Sequence, residues 1–144
     1  MSTLDLGPRR ITLPLLAATF RAPLAEVTSA DQSVFVEGPT GCQKSSLTGV
    51  FQAHYGSKFS YSHLPGSWES TDNSLELQAF AAKDAVFVVD DFKPKGSKWD
   101  IEALHKNADR LLRGQANQQG WGRITPDATL RASYYPRGVI ISSG

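Results

Sequence analysis

The spacing of apolar positions changes several times along the chain, and each change marks an element. Residues 11–27 (ITLPLLAATFRAPLAEV) carry a short apolar helix pattern with a proline towards each end, followed by a polar turn, SADQ. The run SVFVEG at 33–38 is β-branched and aromatic and ends on glycine, the pattern of a buried strand. The period then switches. Leu47, Val50, Phe51 and His54 fall at helical spacing and Gly56 follows as a stop, so strand, tight loop and helix succeed one another.

Residues 57–72 are polar and aromatic, with a strand expected at 58–63. Asn73 and Glu76 have the spacing of a capping box and open a helix carrying Leu77, Phe80 and Ala81. AVFVV at 85–89 is a second buried strand, which ends in Asp90 and Asp91 and runs into the loop KPKGSK. Ser97 and Asp100 repeat the capping-box spacing, ahead of an apolar stripe of Ile101, Leu104, Ala108, Leu111 and Leu112 that runs to about Gly114. GVIIS at 138–142 is a third buried strand. Strands alternating with helices imply an α/β chain with a mainly parallel sheet. With no repeat and no dividing linker, residues 1–144 read as a single domain, 1–30 being a helical lead-in and 31–144 the core.

Composition narrows this picture. Apolar residues at 40% suffice to close a core, which excludes disorder as the overall state. No apolar run reaches the length of about 18 residues that a membrane span needs, and Asp5, Pro8, Arg9 and Arg10 make a poor secretory leader. No membrane partner and a cytoplasmic location are therefore expected. Cys42 stands alone, so no internal disulfide is possible, and His54, His63 and His105 lack metal-ligand spacing. The net charge of +1 conceals an asymmetry. Residues 1–92 carry six Lys or Arg against ten Asp or Glu, net −4, whereas 93–144 carry nine against four, net +5.

Candidate chemistry enters at the first turn. GPTGCQKS, Gly38 to Ser45, lies between strand and helix, where successive backbone N–H groups and a helix N-terminus converge on an anion. The phosphate-loop pattern G-x-x-x-x-G-K-[ST] is met at Gly38, Lys44 and Ser45 but not at Gln43, which stands where the second glycine belongs. In this reading Gly38, Pro39, Thr40, Gly41, Cys42, Gln43, Lys44, Ser45 and Ser46 cradle phosphates. Lys44 contacts the β- and γ-phosphates and Ser45 sets its hydroxyl on Mg²⁺. The plainer alternative is an ordinary strand-to-helix turn with a solvated lysine.

A parallel sheet brings strand carboxyl ends to one edge, so Asp90 and Asp91 are expected beside that loop. Asp90 would hold Mg²⁺ and Asp91 would orient and deprotonate an attacking water. Here the plainer alternative is a polar strand end capping the next turn.

With both motifs read, the stretch from about Ile11 to Gly144 resembles the P-loop ATPase domain of helicase-like, primase-associated replication proteins of phages, plasmids and integrative elements, including an actinobacterial group. The residues that carry the resemblance are GPTGCQKS, SWESTDNSLELQAFAAKDAVFVVDDF, LHKNADRLLRGQANQQG and RGVIISSG. It implies a three-layer P-loop NTPase fold, binding and hydrolysis of ATP with Mg²⁺, and a ring of identical subunits working on DNA. Lys44 and Ser45 then match the Walker A positions, Asp90 and Asp91 the Walker B positions, and Ser142 or Ser143 the polar sensor of the γ-phosphate. Such domains continue past the position of Gly144 into a further strand and helices, so an incomplete domain is expected.

The basic third supplies the candidate DNA contact. WGRITPDATLRASYYPR at 121–137 reads as a β-hairpin turning at Pro126, with Arg123 and Arg131 facing phosphates and Trp121, Tyr134 or Tyr135 available to stack on bases. A solvated basic face with its aromatics in the core is the alternative. Arg110 and Arg113 could serve as arginine fingers towards a neighbouring subunit or could line a solvated helix face. A nucleotide-binding module with little or no turnover is the second functional expectation.

Overall fold

The computed structural model describes residues 2–59, 65–120 and 134–144. Its elements are α1 (Arg9–Arg21), β1 (Ser33–Val36), α2 (Lys44–Gln52), β2 (Gly66–Ser67), α3 (Asp72–Ala81), β3 (Phe87–Asp90), α4 (Lys98–Ala116) and β4 (Ile140–Ser143). The four strands form one sheet in the order β1-β4-β3-β2, and every pairing is parallel. Chain order and sheet order thus diverge after β1, because β4 pairs with β1 on one side and β3 on the other.

That order follows from connection geometry. The chain leaves β1 in one direction across the sheet and returns through β2, β3 and β4 in the other, and crossovers of constant hand then place their helices on opposite faces. Two cores record this arrangement. One packs Leu15, Ala18 and Phe51 from α1 and α2 against Val36, Val88 and Ile141; the other packs Leu75, Ala79, Ala108 and Leu111 from α3 and α4 against Phe87, Val89 and Ile140. Neighbouring residues of β3 therefore feed opposite cores, which explains why a strand buried on both faces reads as an unbroken apolar run. No helix among the described residues is long and apolar enough to cross a membrane.

The amino ends of the strands are tied by one side chain. Buried Gln115, near the end of α4, donates from Nε2 to the carbonyls of Ala30, Gln32 and Gly138 at 3.1, 2.8 and 3.1 Å. Its two amide hydrogens, one of them shared, fix the approaches to β1 and β4 and serve backbone acceptors that burial would otherwise leave costly.

Several boundaries differ from expectation. The first helix starts at Arg9 and passes after Arg21 into a single 3-10 turn through Leu24, keeping Pro14 inside it. The expected strand at 58–63 is not borne out at its start, since Lys58 lies in a turn, and residues 60–63 fall outside the described set. The strand in this region is β2, two residues that Gly66 makes possible: a Cβ there would meet the Val88 carbonyl at 2.9 Å and Phe87 at 2.8 Å. Thr71 rather than Asn73 caps α3, its hydroxyl accepting from the Ser74 N–H, and Glu76 turns instead to Arg110. The Ser97 and Asp100 capping box of α4 is present as read.

Candidate functional site

Three strands deliver their carboxyl ends to one edge. Phe92 N–H donates to the Ser143 carbonyl at 2.9 Å and Gly144 N–H to the Val36 carbonyl at 3.2 Å, so the residues after β3 and β4 are stitched to their neighbours. At this edge lies a cleft of about 540 Å³, bounded by the loop after β1, by the start of α2, and by Asp90, Asp91, Lys93 and Ser143. Sheets of this kind bind ligands in the crevice where connections diverge to opposite faces. Here the exit from β1 leads to α2 on one face and the exit from β3 to α4 on the other.

The loop makes its turn by two left-handed residues. Gly41 has φ 88° and Gln43 has φ 61° with ψ 29°, immediately before the first residue of α2. A non-glycine residue in this region costs about 1–2 kcal/mol. Gln43 therefore keeps the backbone conformation for which a glycine is suited, and carries the strain in place of a sequence change. Its exposed side chain makes no capping bond to the helix, so the first N–H groups of α2 are left to other acceptors. Lys44 folds back across the loop, Nζ donating to the carbonyls of Gly38 and Pro39 at 2.7 and 3.1 Å. Its ammonium is thereby held over the loop in which an anion would lie.

Opposite the loop, Oδ1 of Asp90 accepts from two hydroxyls at once, Ser45 at 2.8 Å and Ser143. One half-buried carboxylate thus joins the start of α2, the end of β3 and the end of β4. Asp91 follows with φ 62°, which turns the chain sharply out of the strand and leaves Asp91 exposed at the rim. The two carboxylates consequently occupy different settings, Asp90 bonded within the edge and Asp91 open to the cleft.

The site gathers most, not all, of the residues nominated from sequence. Gly38, Pro39, Thr40, Gly41, Gln43, Lys44, Ser45, Ser46, Asp90, Asp91 and Ser143 all border the cleft. Ser142 does not: it faces the opposite core, where its hydroxyl accepts from Trp68 Nε1 at 2.8 Å. Strand alternation decides between the two serines, since adjacent side chains point to opposite faces. Cys42 is exposed and outside the cleft lining, with Sγ 4.0 Å from Lys44 Nζ. Arg110 is not available as a finger or as a solvated charge, because Nε and Nη2 bond Glu76 at 2.7 and 3.0 Å while Nη1 reaches Asp72. Arg113 pairs with Asp109 on the surface at 2.7 Å. Arg123, Arg131, Trp121 and the rest of the expected hairpin up to residue 133 lie outside the described residues. Tyr134 packs edge-on against Phe80 at 4.8 Å, and Arg137 lies over the same ring at 5.9 Å.

Lys93 was missed. It borders the cleft beside Asp91, and its place in sequence, two residues past the acidic pair in an apparently ordinary loop, gave only that proximity as a signal.

The donor set suits a hard divalent cation shared with a ligand. Among the described residues no group of three or more His, Cys, Asp or Glu could hold a metal ion by itself. Asp90 and Ser45 instead bring two oxygens within 2.8 Å of each other, and Mg²⁺ commonly takes one or two protein oxygens and completes its shell with phosphate and water. The residues present fit that mode. Compared with models of known protein families, with curated proteins and with solved structures, the chain has no match.

Proposed function

We propose that this chain is a P-loop NTPase domain of three layers that binds ATP with Mg²⁺ and hydrolyses it. The observation that carries the reading is the convergence on one sheet edge of a lysine-bearing turn, with Gln43 left-handed, and of a carboxylate bonded to both Ser45 and Ser143. A turn that only joined β1 to α2 would give no reason for a left-handed Gln43, or for a lysine and an acidic pair bordering one cleft.

The residues divide the work by position. Backbone N–H groups of residues 43–45 at the α2 terminus receive the phosphate oxygens, and Lys44 exchanges its loop carbonyls for the β- and γ-oxygens. Ser45 and Asp90 would hold Mg²⁺, which would supply charge neutralisation on those oxygens when bound. Asp91, open to the cleft, positions the water that attacks the γ-phosphorus and takes its proton, as the bond from that phosphorus to the bridging oxygen breaks and ADP leaves. Ser143, bonded to Asp90, is placed to sense the terminal phosphate. The resemblance in the sequence extends this to helicase-like work on DNA by a ring of identical subunits in mobile-element replication, supported by the +5 charge of residues 93–144.

A second reading, a nucleotide-binding module with little turnover, is favoured by one observation. Arg110 is committed to Asp72 and Glu76, so of the two finger candidates on this helix Arg110 is taken and Arg113, paired with Asp109, stays at the surface. Titration of the chain with fluorescent ATP, with and without Mg²⁺, in wild type and Lys44→Ala, tests nucleotide binding. The expected result is Mg²⁺-dependent binding lost in the variant, and equal binding by both proteins would overturn it. Phosphate release under the same conditions separates the two readings.

A further inference from the structure

A second hollow, of about 730 Å³, adjoins the phosphate cleft. The two share Gly38, Pro39, Lys93 and Gly144, and the new walls are Phe35, Phe92, Pro94 and Glu37. Phe35 lies on β1 with 52% of its surface open, unusual for a large ring beside a core. Its ring meets that of Phe92 edge-on at 5.9 Å. Phe92 in turn is fixed from behind by Trp68 at 5.5 Å and stacks on His105 at 6.1 Å. A braced, half-open ring therefore stands beside a loop suited to phosphate.

We propose that Phe35, supported by Phe92, is the shelf on which the base of the bound nucleotide stacks, an inference that rests on the phosphate-loop reading above. The continuity of the two hollows selects the occupant. A ligand that fills both must be anionic at one end and flat and apolar at the other, and every nucleobase offers a π-face to an aromatic ring. The charged groups at the rim refine the choice. Glu37 is an exposed acceptor suited to an exocyclic amino group, which adenine has and uracil lacks. Stacking alone reads no sequence of donors and acceptors, so the shelf gives affinity for a purine with modest discrimination.

Isothermal titration of the 144-residue chain in Mg²⁺ with ATP, UTP and inorganic tripolyphosphate tests the shelf. In wild type ATP should bind about fivefold to a hundredfold more tightly than tripolyphosphate, the range given by base-on-ring stacking, with UTP between them. Phe35→Ala should erase most of that difference and leave tripolyphosphate unchanged, while Phe35→Trp should keep it. If Phe35→Ala retains the full preference for ATP, the shelf is wrong while the phosphate loop stands. If Phe35→Ala also loses tripolyphosphate, Phe35→Trp decides: a retained preference for ATP supports the shelf and a lost one overturns it. If wild type binds neither ATP nor tripolyphosphate, the phosphate-loop reading fails and the shelf fails with it.

Discussion

The Ser45 hydroxyl donates to Asp90 Oδ1 at 2.8 Å, joining the first residues of α2 to the end of β3, a strand that does not pair with the β1 that leads into α2. A metal ion bridging this pair would be sensitive to the loss of either oxygen. Asp90→Ala should therefore reduce ATP affinity in Mg²⁺ to the level measured in EDTA, a fall of about tenfold or more. Affinity measured without metal should change little, and calorimetry in the two buffers separates these effects.

Gln43 offers a test in which the substitution improves the protein. Gln43→Gly relieves a left-handed side-chain-bearing residue but adds freedom to the unfolded chain, so the net gain is about 0.5–1 kcal/mol. For a chain of this size that is a rise of roughly 2–4 °C in melting temperature. Gln43→Val, with a β-branched side chain at the same φ, should melt lower than wild type. Nucleotide affinity should survive in the glycine variant.

Arg110 holds α4 to α3 through Glu76 and Asp72, with its own side chain 15% exposed and that of Glu76 12% exposed. Removing the guanidinium withdraws several charge-assisted bonds from partly buried carboxylates, and Arg110→Ala should cost about 2–4 kcal/mol in chemical denaturation. Arg110→Lys should recover only part, because an ammonium cannot match the planar fork. An Arg110→Ala, Glu76→Gln double-mutant cycle should show coupling between the two positions.

Acid should act on the cap of α4. Hydrogen bonds from the Ser97 side chain and backbone hold the Asp100 carboxyl below its ordinary value of 3.8. A carboxyl lowered in the folded state adds stability that is complete above the unfolded value and disappears as pH falls through the folded one. Ser97→Ala should therefore flatten the acid arm of a stability profile below about pH 4.

At the other extreme, burial pushes the Tyr55 phenol from 10.0 up to about 12. Its hydroxyl donates to the Thr19 carbonyl, linking the turn after α2 to α1. Here the sign is reversed: stability is complete below the unfolded value of 10.0 and is lost as pH rises towards 12. Tyr55→Phe should lower stability near neutrality and remove most of the alkaline decline, as followed by urea denaturation across that range.

Much of this arrangement was legible in the residues. The apolar runs ending in Val89 and Ile141 identified two interior strands because strands covered on both faces carry no polar alternation, while the edge strand β1 was legible from its β-branched and aromatic residues. GPTGCQKS and Asp90-Asp91 announced the two sides of the cleft, because a parallel sheet leaves strand carboxyl ends together. What escaped depended on partners distant in sequence. Nothing near Glu76 reveals that it belongs to Arg110 rather than to a cap, and nothing in RGVIISSG shows which serine faces Asp90 until the register with β3 is known. β2 was missed since two residues carry no period, and it exists through its pairing with Val89 and Asp90.

The place of β4 bears on how the chain acquires its structure. Although β4 follows the other strands of the described residues in sequence, it is the interior strand against which β1 and β3 both align. A nascent chain that has emerged through residue 120 holds the loop after β1 and the acidic pair on segments with no hydrogen-bonded connection between their strands. Such non-local pairing slows folding and leaves strand edges open to misassociation. Assembly of the cleft is thus deferred until β4 inserts, and during synthesis the two sides of the cleft would be locked together only after residue 143 has emerged.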